Sequence, residues 1–241
     1  MSYLIKFAFF ADYFKFIFTP LLITSHRPLY RKISETFFIY LFCLILSTSI
    51  SIAVYYFIDT PQRKAEHIDL NFGYIFLSCF FLPLIEEIVF RLSLIYSRCN
   101  LSFTTAGLFF LIINNFLKTR DIFIGENYYL IRIISSLMIS ILIGIIFYFA
   151  YKKYEGMLAY FFENNFRTVF YISSLIFAFL HISNFQISLD KYLVYPLIIL
   201  PQLIFGLTAG FIRIKYGFLY CLSVHILNNL IPTLIIYLYF L

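Results

Sequence analysis

Long apolar runs separated by short polar islands set the pattern of this chain. A helix crossing a bilayer needs about 20 mostly apolar residues. Residues 36–58 meet that length without one charged side chain. Residues 101–117, 133–151, 168–185, 192–212 and 217–241 repeat the pattern. Residues 70–96 also read as an apolar helix, but its second half carries Glu86, Glu87 and Arg91. Residues 3–23 are apolar with three charges, and Asp12 and Lys15 share one helical face. That run predicts an interfacial or poorly inserted helix, with a true span as the alternative. The mixed segment 152–167 predicts a helix lying along the membrane surface. The expected fold is therefore all-α, a polytopic transmembrane bundle of seven spans, or eight if residues 3–23 insert. Residues 1–69 form an N-terminal part, an interfacial helix and a first span, ahead of a core at 70–241.

Composition supports this reading. Apolar residues make up 62% of the chain and charged residues 12%, against about a quarter charged in soluble domains. A soluble fold could not bury that much Phe, Ile, Leu and Tyr. The formal charge is +6, but Lys and Arg lie singly or in pairs between apolar runs. No basic stripe interleaves with stacking aromatics, so nucleic acid is not an expected partner; membrane lipids are. The loops at 24–35, 97–100, 152–167 and 213–216 hold the larger share of Lys and Arg, which the positive-inside rule places in the cytoplasm. The charges around Lys118–Arg132 pull the other way. Cys43, Cys79, Cys99 and Cys221 form no CxxC pair and read as free thiols. The N-terminal run carries Lys6, Asp12 and Lys15 and lacks a small-residue cleavage site, so no secretory signal is expected. The chain is expected in the cell membrane, as an integral multi-pass protein.

Ionisable groups inside a span cost roughly 3 kcal/mol each on insertion scales, so each calls for a reason. Arg91 follows Glu87 by four residues, the favoured order for a pair on one helical face. Glu86 is turned about 100° away from that pair and is left to face a cavity. Pro83 lacks an N–H and predicts a kink just before the acids. His181 stands in an apolar run, with Phe177 one turn earlier to pack on its ring. His225 is followed one turn later by Asn229, on the same face. Each feature alone also suits a polar clamp between helices. Together they supply what peptide hydrolysis needs. Glu86 is the expected base for water, His181 positions or deprotonates it, and His225 with Asn229 stabilises the oxyanion. Asn114, Asn115 and Gln202 are polar residues this scheme does not use.

Three strings carry a resemblance: EEIVFR at 86–91, FAFLH at 177–181 and HILNN at 225–229. They resemble the motifs of the CAAX prenyl protease and bacteriocin-processing family, the CPBP or Abi membrane proteases. The stretch GLTAGFIRIKYGFLYCLSVHILNN at 206–229 also resembles the family's approach to its last motif. The similarity spans about residues 70–235. It implies an eight-helix-like membrane fold with the catalytic cavity inside the bundle, and a protease core at 70–241. It further implies catalytic positions at Glu86, His181, His225 and Asn229, supported by Glu87 and Arg91.

The expected activity is intramembrane endoproteolysis of a membrane-associated peptide or protein. No cofactor is certain; two histidines and a carboxylate could also hold a divalent metal such as zinc, and the family resemblance fits either chemistry. The alternative is a non-proteolytic immunity or interaction protein that keeps the motifs as scaffold. A transporter is the third class, since broken helices and midplane charges also mark substrate paths.

Overall fold

The computed structural model describes residues 8–23, 25–62, 72–119, 129–186 and 188–239. Every element there is helical: α1 (Ala8–Phe18), α2 (Leu29–Phe57), α3 (Phe72–Phe76), a π-helical turn (Leu77–Phe81), α4 (Leu82–Phe90), α5 (Arg98–Thr119), α6 (Tyr129–Lys153), α7 (Glu155–Asn164), α8 (Phe166–Leu180), α9 (Tyr195–Ile198), α10 (Leu200–Lys215) and α11 (Phe218–Tyr239). Five described stretches are long and apolar enough to cross a bilayer: Leu29–Phe57, Arg98–Lys118, Tyr129–Lys153, Phe166–Asn184 and Phe218–Leu238. The chain is an integral membrane protein.

Two expected spans are not single α-helices. Residues 192–212 divide into α9 and α10, with prolines at the start of each. The helix expected over 70–96 passes from α3 through the π turn into α4, and a 3₁₀ turn (Leu92–Leu94) follows. Its first two residues, most of the loop expected at 59–69, and most of the loop at 118–129 lie outside the described residues. So do residues 3–7 of the first apolar run.

The chain divides into two compact units, Met1–Leu84 with Phe166–Leu241, and Ile85–Asn165. In the larger unit, α1 does more than rest on a surface. Phe9, Tyr13 and Phe16 are buried, and the Phe16 ring lies 5.2 Å from both Phe170 and Phe211. The Tyr13 hydroxyl meets the Thr208 hydroxyl at 2.9 Å. Charges gather at one end of these helices: Lys215 Nζ lies 2.8 Å from Asp12, Arg27 pairs with Glu35, and Tyr216 donates to Glu35 at 2.7 Å. Asp12 is thus answered by Lys215 on α10. Helices α8 and α10 approach closely at Gly210, where a Cβ would meet Phe170 Cε2 at 2.6 Å. Gly217, at φ +117°, makes the turn into α11, and its N–H reaches back to the carbonyl of Ile212. That turn brings α11, which carries His225, back beside α10.

In the smaller unit, α5 and α6 form a close antiparallel pair. A Cβ at Gly144 would lie 2.9 Å from the Cβ of Ala106, a small-residue contact of the kind that holds membrane helices together. Arg98 stacks on Tyr148 at 4.3 Å and donates to its hydroxyl. Arg132, placed in a loop by the sequence pattern, is buried inside α6. Its Nε donates to Asn114 Oδ1 at 3.3 Å, which accounts for one of the unexplained polar residues. Helix α7 follows the expected surface segment and buries no residue.

Candidate active site

Helix α8 ends at Leu180, and His181 begins a 3₁₀ turn. Its Nδ1 lies 2.8 Å from the carbonyl oxygen of Phe177. A carbonyl can only accept, so this contact puts the proton of the neutral ring on Nδ1. Nε2 is then the nitrogen with the lone pair, the form suited to accept a proton or to bind a metal. The Phe177 ring tilts against His181 at 4.7 Å between centroids, as the one-turn spacing predicts.

The same Phe177 ring also meets His225, edge-on at 5.8 Å. Phe205, from α10, closes on His225 at 5.0 Å. His225 is thereby fully enclosed, at 2% exposure, while His181 is half-buried. The two imidazoles from different helices share one aromatic neighbour. Phe205 carries no sequence motif and is found only in the packing.

Asn229 lies one turn beyond His225 on α11, and its Nδ2 donates to the Ser78 carbonyl at 3.1 Å. That carbonyl belongs to the π turn. The N–H of Leu82 bonds to Leu77, five residues back, so the register has moved by one. In this register the donor due to Ser78 is residue 83, and Pro83 has no N–H to give. The side chain of Asn229 supplies one. A carboxamide nitrogen has two hydrogens, so one donor satisfies Ser78 and the second is available for other chemistry. The expected kink at Pro83 is therefore taken up as a π turn spanning Leu77–Phe81. Thr233 adds to the same junction: its hydroxyl bonds to the Asn229 carbonyl at 2.8 Å, and Cys79 Sγ lies 3.5 Å from it. The spacing of Ser78 and Pro83 was the available signal for this contact.

Glu86, Glu87 and Arg91 belong to the smaller unit. Glu87 and Arg91 are buried at 0% and 1% exposure, with Arg91 Nε 3.8 Å from Glu87 Oε2. The i,i+4 pair read from the sequence is formed. Glu86 lies on a different face of α4 and is half-buried. The Thr104 hydroxyl of α5 donates to the Ile88 carbonyl at 2.9 Å, holding α4 against its neighbour. Among the described residues no three His, Cys, Asp or Glu side chains gather at metal-binding distance.

No curated protein and no solved structure matches the chain. A family model does: that of the type II CAAX prenyl endopeptidase Rce1-like proteins, over residues 69–231. That interval holds EEIVFR, FAFLH and HILNN in order, on three helical segments, and includes both histidines that meet Phe177, so the chain belongs to the Rce1-like family of type II CAAX prenyl endopeptidases.

Proposed function

We propose that the protein is an intramembrane endopeptidase of the cell membrane, cleaving a membrane-associated peptide or protein with an activated water. The observation that carries this reading is the state of His181. Its Nδ1–H is committed to the carbonyl of Phe177, whose ring also meets His225 edge-on, and Nε2 is the basic nitrogen of that tautomer.

In this scheme Glu86 takes a proton from water, and His181 Nε2 is a group that orients water by accepting a hydrogen bond from it. The hydroxide attacks the carbonyl carbon of the scissile peptide. The resulting oxyanion accepts hydrogen bonds from His225 and from the second N–H of Asn229. The C–N bond then breaks as the proton held by Glu86 passes to the departing amine. Glu87 and Arg91 fix the helix that carries Glu86; their pair is buried and has no direct part in the chemistry.

The test uses purified protein in lipid with a panel of peptides, prenylated and not, with and without chelator. Glu86→Gln and His181→Gln should each lower cleavage about 10²-fold or more, the usual weight of a general acid–base group. Loss on chelation would replace the water–glutamate scheme by a metal-dependent one. Variants that accumulate normally and keep full biological activity would instead support the non-proteolytic scaffold.

A further inference from the structure

Two hollows in the larger unit adjoin each other. One, of about 500 Å³, is lined by Thr60, Gln62 and Phe185 at the end of α2. The other, of about 620 Å³, lies between α2, α10 and α11 and reaches Phe205, the ring that meets His225 edge-on. They share Ser51, Tyr55 and Pro201. The result is a groove running from a helix end to the wall of the histidine pair.

Its chemistry restricts the occupant. Among the described residues none of the lining side chains is Asp, Glu, Lys, Arg or His. Hydrogen-bonding groups are nevertheless repeated along it, at Thr48, Ser51, Gln202 and Asn228. At Asn228 there is a further acceptor. Pro232, one turn on within α11, offers no N–H to the Asn228 carbonyl. A lipid chain uses none of these groups. An extended polypeptide uses all of them, because its backbone N–H and C=O groups cannot go unpaired in a bilayer. The far end of the groove already has strand character: Phe185 is extended, and the Gln186 N–H bonds to the Gln62 carbonyl at 2.9 Å. Such an edge suits addition of another extended chain.

We propose that this groove binds an uncharged, apolar segment of the substrate polypeptide in extended form, and delivers it toward His225. The assignment rests on the endopeptidase reading and deepens it: the substrate must unwind, and charged side chains are excluded from the segment bound. Gln202 and Asn228 pair with its backbone, and Phe205 ends the groove.

The probe is a synthetic peptide of leucine, valine, alanine and glycine carrying one benzoylphenylalanine, photolysed with the full-length protein in vesicles. Cross-links should map to residues around Thr48, Ser51, Gln202 and Asn228, and unlabelled peptide should compete them. A central aspartate should abolish them. Gln202→Leu and Asn228→Leu should each weaken labelling about fivefold, the worth of one hydrogen bond, and raise KM while kcat holds. Labelling spread over lipid-facing residues such as Ile45, or competed equally by a fatty acid, would make the groove a lipid site and overturn the proposal. Cleavage without labelling in the groove would overturn it and leave the endopeptidase standing. Labelling of the groove with no cleavage of any peptide would uphold the binding site and remove the endopeptidase.

Discussion

Removing the Asn229 side chain should be partly compensated by giving residue 83 an N–H. The Asn229 Nδ2 to Ser78 contact is a neutral hydrogen bond at 3.1 Å, worth about 0.5–1.5 kcal/mol net in proteins and about 0.6 kcal/mol on average between membrane helices. Asn229→Leu therefore forfeits about 1 kcal/mol from this bond, beyond any effect on catalysis. In Pro83→Ala the backbone gains a donor that can serve Ser78 in the π register or Cys79 in the α register. In that background the Asn229 amide is less needed. The same Asn229→Leu change should then cost less, with a coupling of about 0.5–1 kcal/mol in the double-mutant cycle. Reversible unfolding of the four proteins by sodium dodecyl sulfate in mixed micelles measures it. Additivity within about 0.3 kcal/mol would show that Asn229 does not support the π turn. Activity gives an independent axis. If the second N–H stabilises the oxyanion, Asn229→Leu stays impaired in cleavage even where Pro83→Ala restores stability.

Breaking the buried pair with Arg91→Met should destabilise the protein by about 3–5 kcal/mol, because Glu87 is left charged and enclosed. Adding Glu87→Leu should recover much of that loss, as unfolding of the double variant would show. Gly144→Ala places a methyl 2.9 Å from Ala106 Cβ and 3.3 Å from the Ser102 carbonyl, so α5 and α6 must part. A loss of about 1–3 kcal/mol is expected in the same unfolding assay. Alkaline stability should depend on Tyr216, whose ionisation is pushed up by burial and by its hydrogen bond to Glu35. The folded state keeps the phenol proton while the unfolded chain loses it near pH 10. This contribution is thus complete below pH 10 and declines as pH rises above it. Tyr216→Phe should flatten that decline; an unchanged alkaline profile would contradict the assignment.

Much of this protein is written in short-range pattern. Uninterrupted apolar runs place the membrane helices, since lipid imposes the length and the exclusion of charge. The Glu87–Arg91 pair and the Phe177–His181 stack were legible because both partners lie one turn apart on one helix, where 3.6-residue geometry fixes the neighbour. Pro83 marked where regular helix would fail, but not how, and the break of the expected 192–212 span into two helices was not read from its prolines. Pro83 was expected to kink its helix; a π turn lies just before it, and the Ser78 carbonyl is met by an amide 151 residues away. Nothing local encodes that distance. The same holds for Phe177 between two histidines, for Phe205 on His225, and for Arg132 within α6 meeting Asn114. Lipid tails are as apolar as the side chains they touch, so hydrophobicity does not choose which membrane helices meet. Close packing at small residues and the demand that buried polar groups find partners do choose, and those are settled only when the helices come together.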